Sequence, residues 1–249
     1  MKKVKIIILI LAIAAALIAV YLNRAYAHIY SKFELIKPPI TQDYMTEKTL
    51  TEKSQLLTYV AIGDSLTAGV GANSVSSSLP ALLAEKLSAK KRMEVNVKNL
   101  GVPGATSFDL LTGQVLDAAK YKPDIITLFI GTNDIHNFVP IEKFKSNLVT
   151  AINGLKQTTK AEIYLINIPY LGAKDLLLPP YDLYFDLKVK DYNKAVAEAA
   201  SETGVTLVDL YSESAATFKT DGAMYSIDRF HPSDAGYVLW SEIIYGYLK

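Results

Sequence analysis

Tyr59-Val60-Ala61-Ile62-Gly63-Asp64-Ser65-Leu66-Thr67-Ala68-Gly69 reads as an apolar strand that stops abruptly in a glycine, an acid and a serine. Further β-rich runs follow at 95–99, 125–130, 163–168 and 206–210, and the first strand itself covers 58–62. Longer amphipathic stretches separate them, at 78–90, 108–119, 141–157 and 187–203. In the third of these, Ile141, Phe144, Leu148, Ile152 and Leu155 recur at helical spacing and leave Lys143, Lys145 and Asn147 for solvent. A last helix is predicted from Pro232 or Ser233, with Leu239, Ile243 and Tyr247 on one face. Strand and helix in near-strict alternation predict βαβ units and a parallel sheet of about five strands, an α/β fold with right-handed crossovers.

In such a sheet ligands bind beyond the carboxyl ends of the strands. The polar residues that stand out fall at that edge. Ser65 follows the first strand, Gly101 follows the second in Asn99-Leu100-Gly101-Val102-Pro103-Gly104, and Asn133 follows the third in Gly131-Thr132-Asn133-Asp134. Far downstream, Asp228-Arg229-Phe230-His231-Pro232 places an acid three residues before a histidine where the last helix opens. A serine nucleophile needs a base in hydrogen-bond reach, a group that orients the base, and donors for the developing oxyanion. Ser65, His231 and Asp228 match the first three roles. The Ser65 amide, the Gly101 amide and the Asn133 side chain match the fourth. Taken singly, each has a bland reading: turn serine, loop glycine, helix-capping Asn133 and Asp134, helix-opening His-Pro. Together at one sheet edge they are hard to read as punctuation.

These four segments resemble, in order, the signature blocks of the GDSL or SGNH hydrolase family, and the resemblance covers residues 58–249. It implies a three-layer flavodoxin-like fold and esterase, lipase, thioesterase or acetylesterase activity without a cofactor. It also implies Ser65 as nucleophile, Gly101 and Asn133 as oxyanion donors, and Asp228 and His231 as orienter and base. The chain has no Gly-x-Ser-x-Gly, which argues against the other common α/β esterase design. Asp64 reads as a hydrogen-bond acceptor that holds the loop. His136 stands at the same rim as a rival base, a substrate contact or an exposed loop residue, the last two being favoured. Asp134 with His136 is too sparse for a metal site.

Composition narrows the rest. Lys plus Arg total 26 against 25 Asp plus Glu, so no charge excess steers nucleic acid. There is no cysteine, which excludes disulfides and thiolate chemistry. Lys2, Lys3 and Lys5 precede an unbroken apolar run from Ile6 to Leu22, near the lower limit for spanning a bilayer. The lysines favour a cytoplasmic N-terminus and a catalytic part outside. Ala25-Tyr26-Ala27 offers a competing signal-peptidase site. The expected organisation is therefore an anchor or signal at 1–27, a stalk at 28–57 with Tyr30, Phe33 and Leu35 available to pack on the domain, and the hydrolase domain at 58–249. Residues 169–185 are long for a connection and strongly apolar, suited either to contact an acyl chain or simply to pack the loop. Lipid and acetylated-sugar esters both remain open as substrates. A non-catalytic glycan- or lipid-binding module is the alternative, and a phosphate or flavin binder using 63–71 lacks the Gly-Lys-Ser/Thr of a P-loop.

Overall fold

The computed structural model describes residues 2–33, 35–37, 43–46 and 56–248. Along the chain the elements are α1 (Lys2–Phe33), β1 (Tyr44–Met45), β2 (Leu56–Gly63), α2 (Ser65–Ala68), α3 (Leu79–Lys91) and β3 (Glu94–Asn99). There follow α4 (Ser107–Asp109), a π turn (Leu110–Gln114), α5 (Val115–Lys120), β4 (Ile125–Phe129), α6 (Thr132–His136), α7 (Ile141–Thr158) and β5 (Glu162–Ile166). The chain then forms α8 (Tyr181–Thr203), β6 (Thr206–Val208), α9 (Leu210–Thr220) and α10 (Asp234–Tyr247).

The sheet order is β1-β3-β2-β4-β5-β6. Pairs from β3 through β6 are parallel, while β1 joins the edge antiparallel to β3 through Tyr44–Val97 and Met45–Asn96. Renumbered among themselves, the five parallel strands run 2-1-3-4-5, the flavodoxin-like order, whose crevice lies between the first and third. That crevice is where β2 and β4 end, at Gly63 and Phe129.

Period-two alternation divides the strand side chains between two cores. Tyr59, Ala61, Phe129, Tyr164 and Ile166 face the layer of α3, α9 and α10, including Leu83, Phe218 and Trp240. Val60, Ile62, Ile126, Leu128, Ile163 and Leu165 face the layer of α5, α7 and α8, including Val115, Leu148 and Val196. The central strands are buried on both faces and so read as continuous apolar runs.

The structure departs from the sequence reading at several points; Asn147, expected to face solvent, is buried and donates to the Ser107 hydroxyl. The helix expected over 108–119 is broken by the π turn, whose extra residue directs Gln114 into the core toward Gly63. The helix expected from 187 starts at Tyr181, directly after Pro179-Pro180, so the last part of the 169–185 segment is helical. The strand expected to Ile168 ends at Ile166, because the Ile168 amide donates to Asn193 Oδ1 and not to a neighbouring strand. The sheet gains β1 from within 28–57. Helix α1 itself continues to Phe33, past the 27/28 boundary; residues 34, 38–42 and 47–55, Pro38-Pro39 among them, lie outside the described residues, as does the Phe33 side chain.

Candidate active site

The strand β2 delivers its last residues into a tight turn. Asp64 caps α2 by accepting the Leu66 amide through Oδ1 at 3.0 Å, so Ser65 becomes the first residue of that helix. The loop after β3 lies directly on this turn. A Cβ on Gly101 would stand 2.4 Å from the Ala68 nitrogen and 2.9 Å from its Cα, so no side chain fits where the loop meets α2. Val102 donates its amide to Gly63 O at 3.0 Å, fixing the register of this contact.

His231 arrives from the turn before α10. Asp228 organises that turn: its Oδ1 accepts the Ser226 hydroxyl and the Phe230 and His231 amides, each at 2.9 Å. Arg229 takes the left-handed conformation, at φ 63°, that lets the chain wrap around the carboxylate. Its guanidinium grips both oxygens of Asp175 and donates to Gly222 O, tying the turn to the loop after β5. On the other side, Asp234 in the first turn of α10 accepts the Asn73 amide and side chain, both at 2.8 Å. Gly71, at φ 94°, lies against the Pro232 carbonyl and the His231 Cβ, where a side chain would collide.

The outcome is a continuous chain of polar contacts. Asp228 Oδ2 lies 2.7 Å from His231 Nδ1, and His231 Nε2 lies 3.0 Å from Ser65 Oγ. A carboxylate accepts only, so Nδ1 carries the proton, Nε2 is left with its lone pair, and the Ser65 hydroxyl donates to it. Asp228 is 1% exposed, His231 6% and Ser65 8%. Ser65 and His231 are 166 residues apart in sequence.

A family model described as GDSL-like Lipase/Acylhydrolase matches residues 61–239. The chain belongs to this family. The spore germination lipase LipC of Bacillus licheniformis is 27% identical over 204 residues, covering 75% of this chain and 93% of that protein. The GDSL-like esterase Rv1075c of Mycobacterium tuberculosis is 26% identical over 186 residues, which are 74% of this chain and 59% of the mycobacterial protein. Among solved structures, the lipase/acylhydrolase from Enterococcus faecalis aligns with a TM-score of 0.61 at 28% identity, covering 76% of this chain and 94% of that one.

Electrostatics set the GDSL-family site further. Burial by itself would raise the Asp228 carboxyl, but the hydrogen bond and charge of His231 and the Phe230 and His231 amides outweigh it, so its pKa lies below the ordinary value. Asp64 has the opposite balance. Burial, with the nearby Asp134 carboxyl adding to it, pushes Asp64 up to about 7 against the opposing Leu66 amide. Its Oδ2 is buried with no hydrogen-bond partner among the described residues. Asp64 therefore holds the loop, as expected, but as a group that is largely protonated below neutrality.

The remaining expected residues are also at the rim. Gly101 N–H points to Asn99 Oδ1 at 3.1 Å. Asn133 donates one N–H of its side chain to Ala105 O at 3.0 Å, which orients the amide and leaves its second N–H. His136 is no exposed loop residue: it ends α6, half-buried between the rings of Phe185 and Phe230 at 5.3 and 5.8 Å. Burial lowers its pKa, so the ring is neutral near pH 7.

Two residues support the site in ways the sequence reading does not assign: the sequence does not single out Gln114, and Asp134 stands out only as a helix cap or as half of a sparse pair with His136. Gln114 returns both hydrogen bonds of a missing strand to Gly63, accepting its amide at 2.7 Å and donating to its carbonyl at 2.9 Å. Asp134 accepts the Ser107 amide and hydroxyl at 2.9 and 2.6 Å, and Asn147 donates to that same hydroxyl, locking α6 to α4 and α7. Gln114, inside a helical stretch, looks like a solvated position until the π turn is known. Among the described residues no group of His, Cys, Asp and Glu is arranged to hold a metal ion.

Proposed function

We propose that this chain is a serine ester hydrolase acting through an acyl-enzyme, with its catalytic domain outside the membrane that α1 crosses. The observation that carries the reading is the Asp228–His231–Ser65 contact chain, at 2.7 and 3.0 Å, on a family scaffold of ester hydrolases. Ser65 Oγ attacks the ester carbonyl carbon while His231 Nε2 takes its proton. Asp228 holds the imidazole tautomer and stabilises the imidazolium. The carbonyl oxygen, now an anion, is received by the Ser65 and Gly101 amides and the free N–H of Asn133. An oxyanion is a stronger acceptor than the neutral Asn99 oxygen, so it competes for the Gly101 N–H as charge develops. Collapse breaks the ester C–O bond, and the alcohol leaves with the proton from His231. Water then repeats the sequence on the acyl-Ser65 and releases the acid. Every group these steps require is a side chain or amide of the chain itself.

For the location, α1 carries Lys2, Lys3 and Lys5 before its apolar run, and it is the one helix among the described residues long and apolar enough to cross a membrane. Support for an uncleaved anchor comes from residues 25–27, the candidate cleavage site. They lie inside continuous helix, with Ala25 buried against the domain. The test is labelling of the full-length protein with a fluorophosphonate and turnover of short p-nitrophenyl esters. Both are expected to vanish in Ser65→Ala. Labelling or turnover persisting in that variant at the wild-type level refutes the assignment.

A further inference from the structure

A cavity of about 550 Å³ opens beside the catalytic turn, and one of its walls is α1. Leu22, Tyr26, Ile29 and Tyr30 line it, at the spacing that puts them on one helical face. This end of α1 is docked on the domain. The Tyr21 hydroxyl donates to Pro179 O at 2.8 Å, His28 Nε2 to Asp175 O at 2.7 Å, and Ile29 packs on Leu176 and Leu177. The 169–185 segment on which α1 docks supplies a second wall, through Leu171, Leu177, Tyr181 and Phe185.

The inner end of the cavity is separated from the reaction centre by the ring of Phe230. Phe230 lines it and sets its ring edge-on to His231 at 5.2 Å, while His136 closes it from α6, the helix that carries Asn133. The outer end reaches the level of a bilayer. From Lys5 to Leu22 the helix rises about 25 Å, close to the roughly 30 Å of a hydrocarbon core. Its apolar side chains from Ile6 to Tyr21 are exposed. Leu22, the first cavity residue, therefore stands at the membrane surface, and the wall from Leu22 to Tyr30 extends about 12 Å above it. Phe138 at the rim is 76% exposed, and Leu183 and Leu187 are exposed beside the cavity-lining Tyr184.

We propose that this cavity receives the acyl chain of a membrane lipid ester, which passes from the bilayer along α1 while its ester group reaches Ser65. The inference rests on the ester-hydrolase reading above and gives it a substrate class. An acetylated sugar would bring hydroxyl groups into a space walled by aliphatic and aromatic carbon, where the lining hydroxyls of Tyr26 and Tyr181 are already engaged with Tyr30 and the Leu22 carbonyl. A lipid chain loses nothing there, and the anchor helix doubles as its guide.

The test uses the full chain reconstituted in vesicles of phosphatidylcholine and phosphatidylglycerol, comparing p-nitrophenyl hexadecanoate with p-nitrophenyl acetate and measuring fatty-acid release from palmitoyl lysophosphatidylcholine. The readout is the ratio of kcat/KM for the long ester over the short one, taken within each preparation so that loss of folded protein cancels. Leu22→Trp, which fills the cavity at its mouth, and Tyr26→Ala, which opens its wall, are each expected to lower that ratio about tenfold, the worth of about two buried methylenes. A wild-type protein that favours the acetate, or a ratio that stays within twofold in both variants, overturns the inference and leaves the hydrolase reading standing. Hydrolysis of both esters by Ser65→Ala would instead sink the hydrolase reading itself.

Discussion

Replacing Asp228 by Asn separates the charge of the carboxylate from its scaffolding. The Asn oxygen can keep the contacts of Oδ1 with the Ser226 hydroxyl and the Phe230 and His231 amides, so the turn that presents His231 is retained. Its NH2 group then faces His231 Nδ1, where a carboxylate oxygen accepts at 2.7 Å. Two donors cannot share that contact, so the imidazole moves its proton to Nε2. That proton points at Ser65 Oγ, and the base becomes a donor at the atom it must deprotonate. Serine hydrolases with this defect lose on the order of 10⁴ in kcat, equivalent to roughly 5.5 kcal/mol of barrier. Loss of the histidine itself costs about 10⁶. Asp228→Asn is therefore expected to retain about a hundred times the activity of His231→Ala, with an unchanged melting temperature, in a p-nitrophenyl ester assay on the full-length protein. Activity within tenfold of wild type would show that Asp228 does not set the tautomer. Activity equal to that of His231→Ala with a lowered melting temperature would make its role structural.

Two further perturbations probe the support of the site. Asp64, held near 7 in the folded protein, keeps its proton where the unfolded chain has released it, so stability falls as pH rises from about 4 to about 7 and then levels off. Asp64→Asn removes that penalty, worth up to roughly 4 kcal/mol, and thermal melts at pH 4, 6 and 8 should show the variant gaining on wild type as pH rises; a constant gap would contradict the buried protonated acid. Gln114→Leu leaves the Gly63 amide without its partner under the catalytic turn and is expected to cost about 1–3 kcal/mol of stability, together with activity. An unchanged melting temperature would mean that another group takes over the bond.

Much of this protein was legible along the chain. Apolar runs such as 58–62 and 125–130 identify strands buried on both faces, because only a sheet covered by helices on each side lets consecutive residues all be apolar. The order of Ser65, Gly101, Asn133, Asp228 and His231 against those strands pointed to the candidate site, because a parallel sheet collects its strand ends at one edge. Where the sequence reading failed, the deciding interaction was long-range. Gln114 turns inward to meet Gly63, 51 residues earlier, whose amide lies past the end of the β3 pairing. His136 is half-buried because Phe185 and Phe230 converge on it. The apolar character of α1 and of residues 169–185 was plain in the sequence, but that the two together line one cavity near His231 depends on docking contacts between residues 147 and 158 positions apart. Local pattern determines which element forms and which of its faces is apolar; what that face meets is settled only when the folded chain brings a distant partner to it.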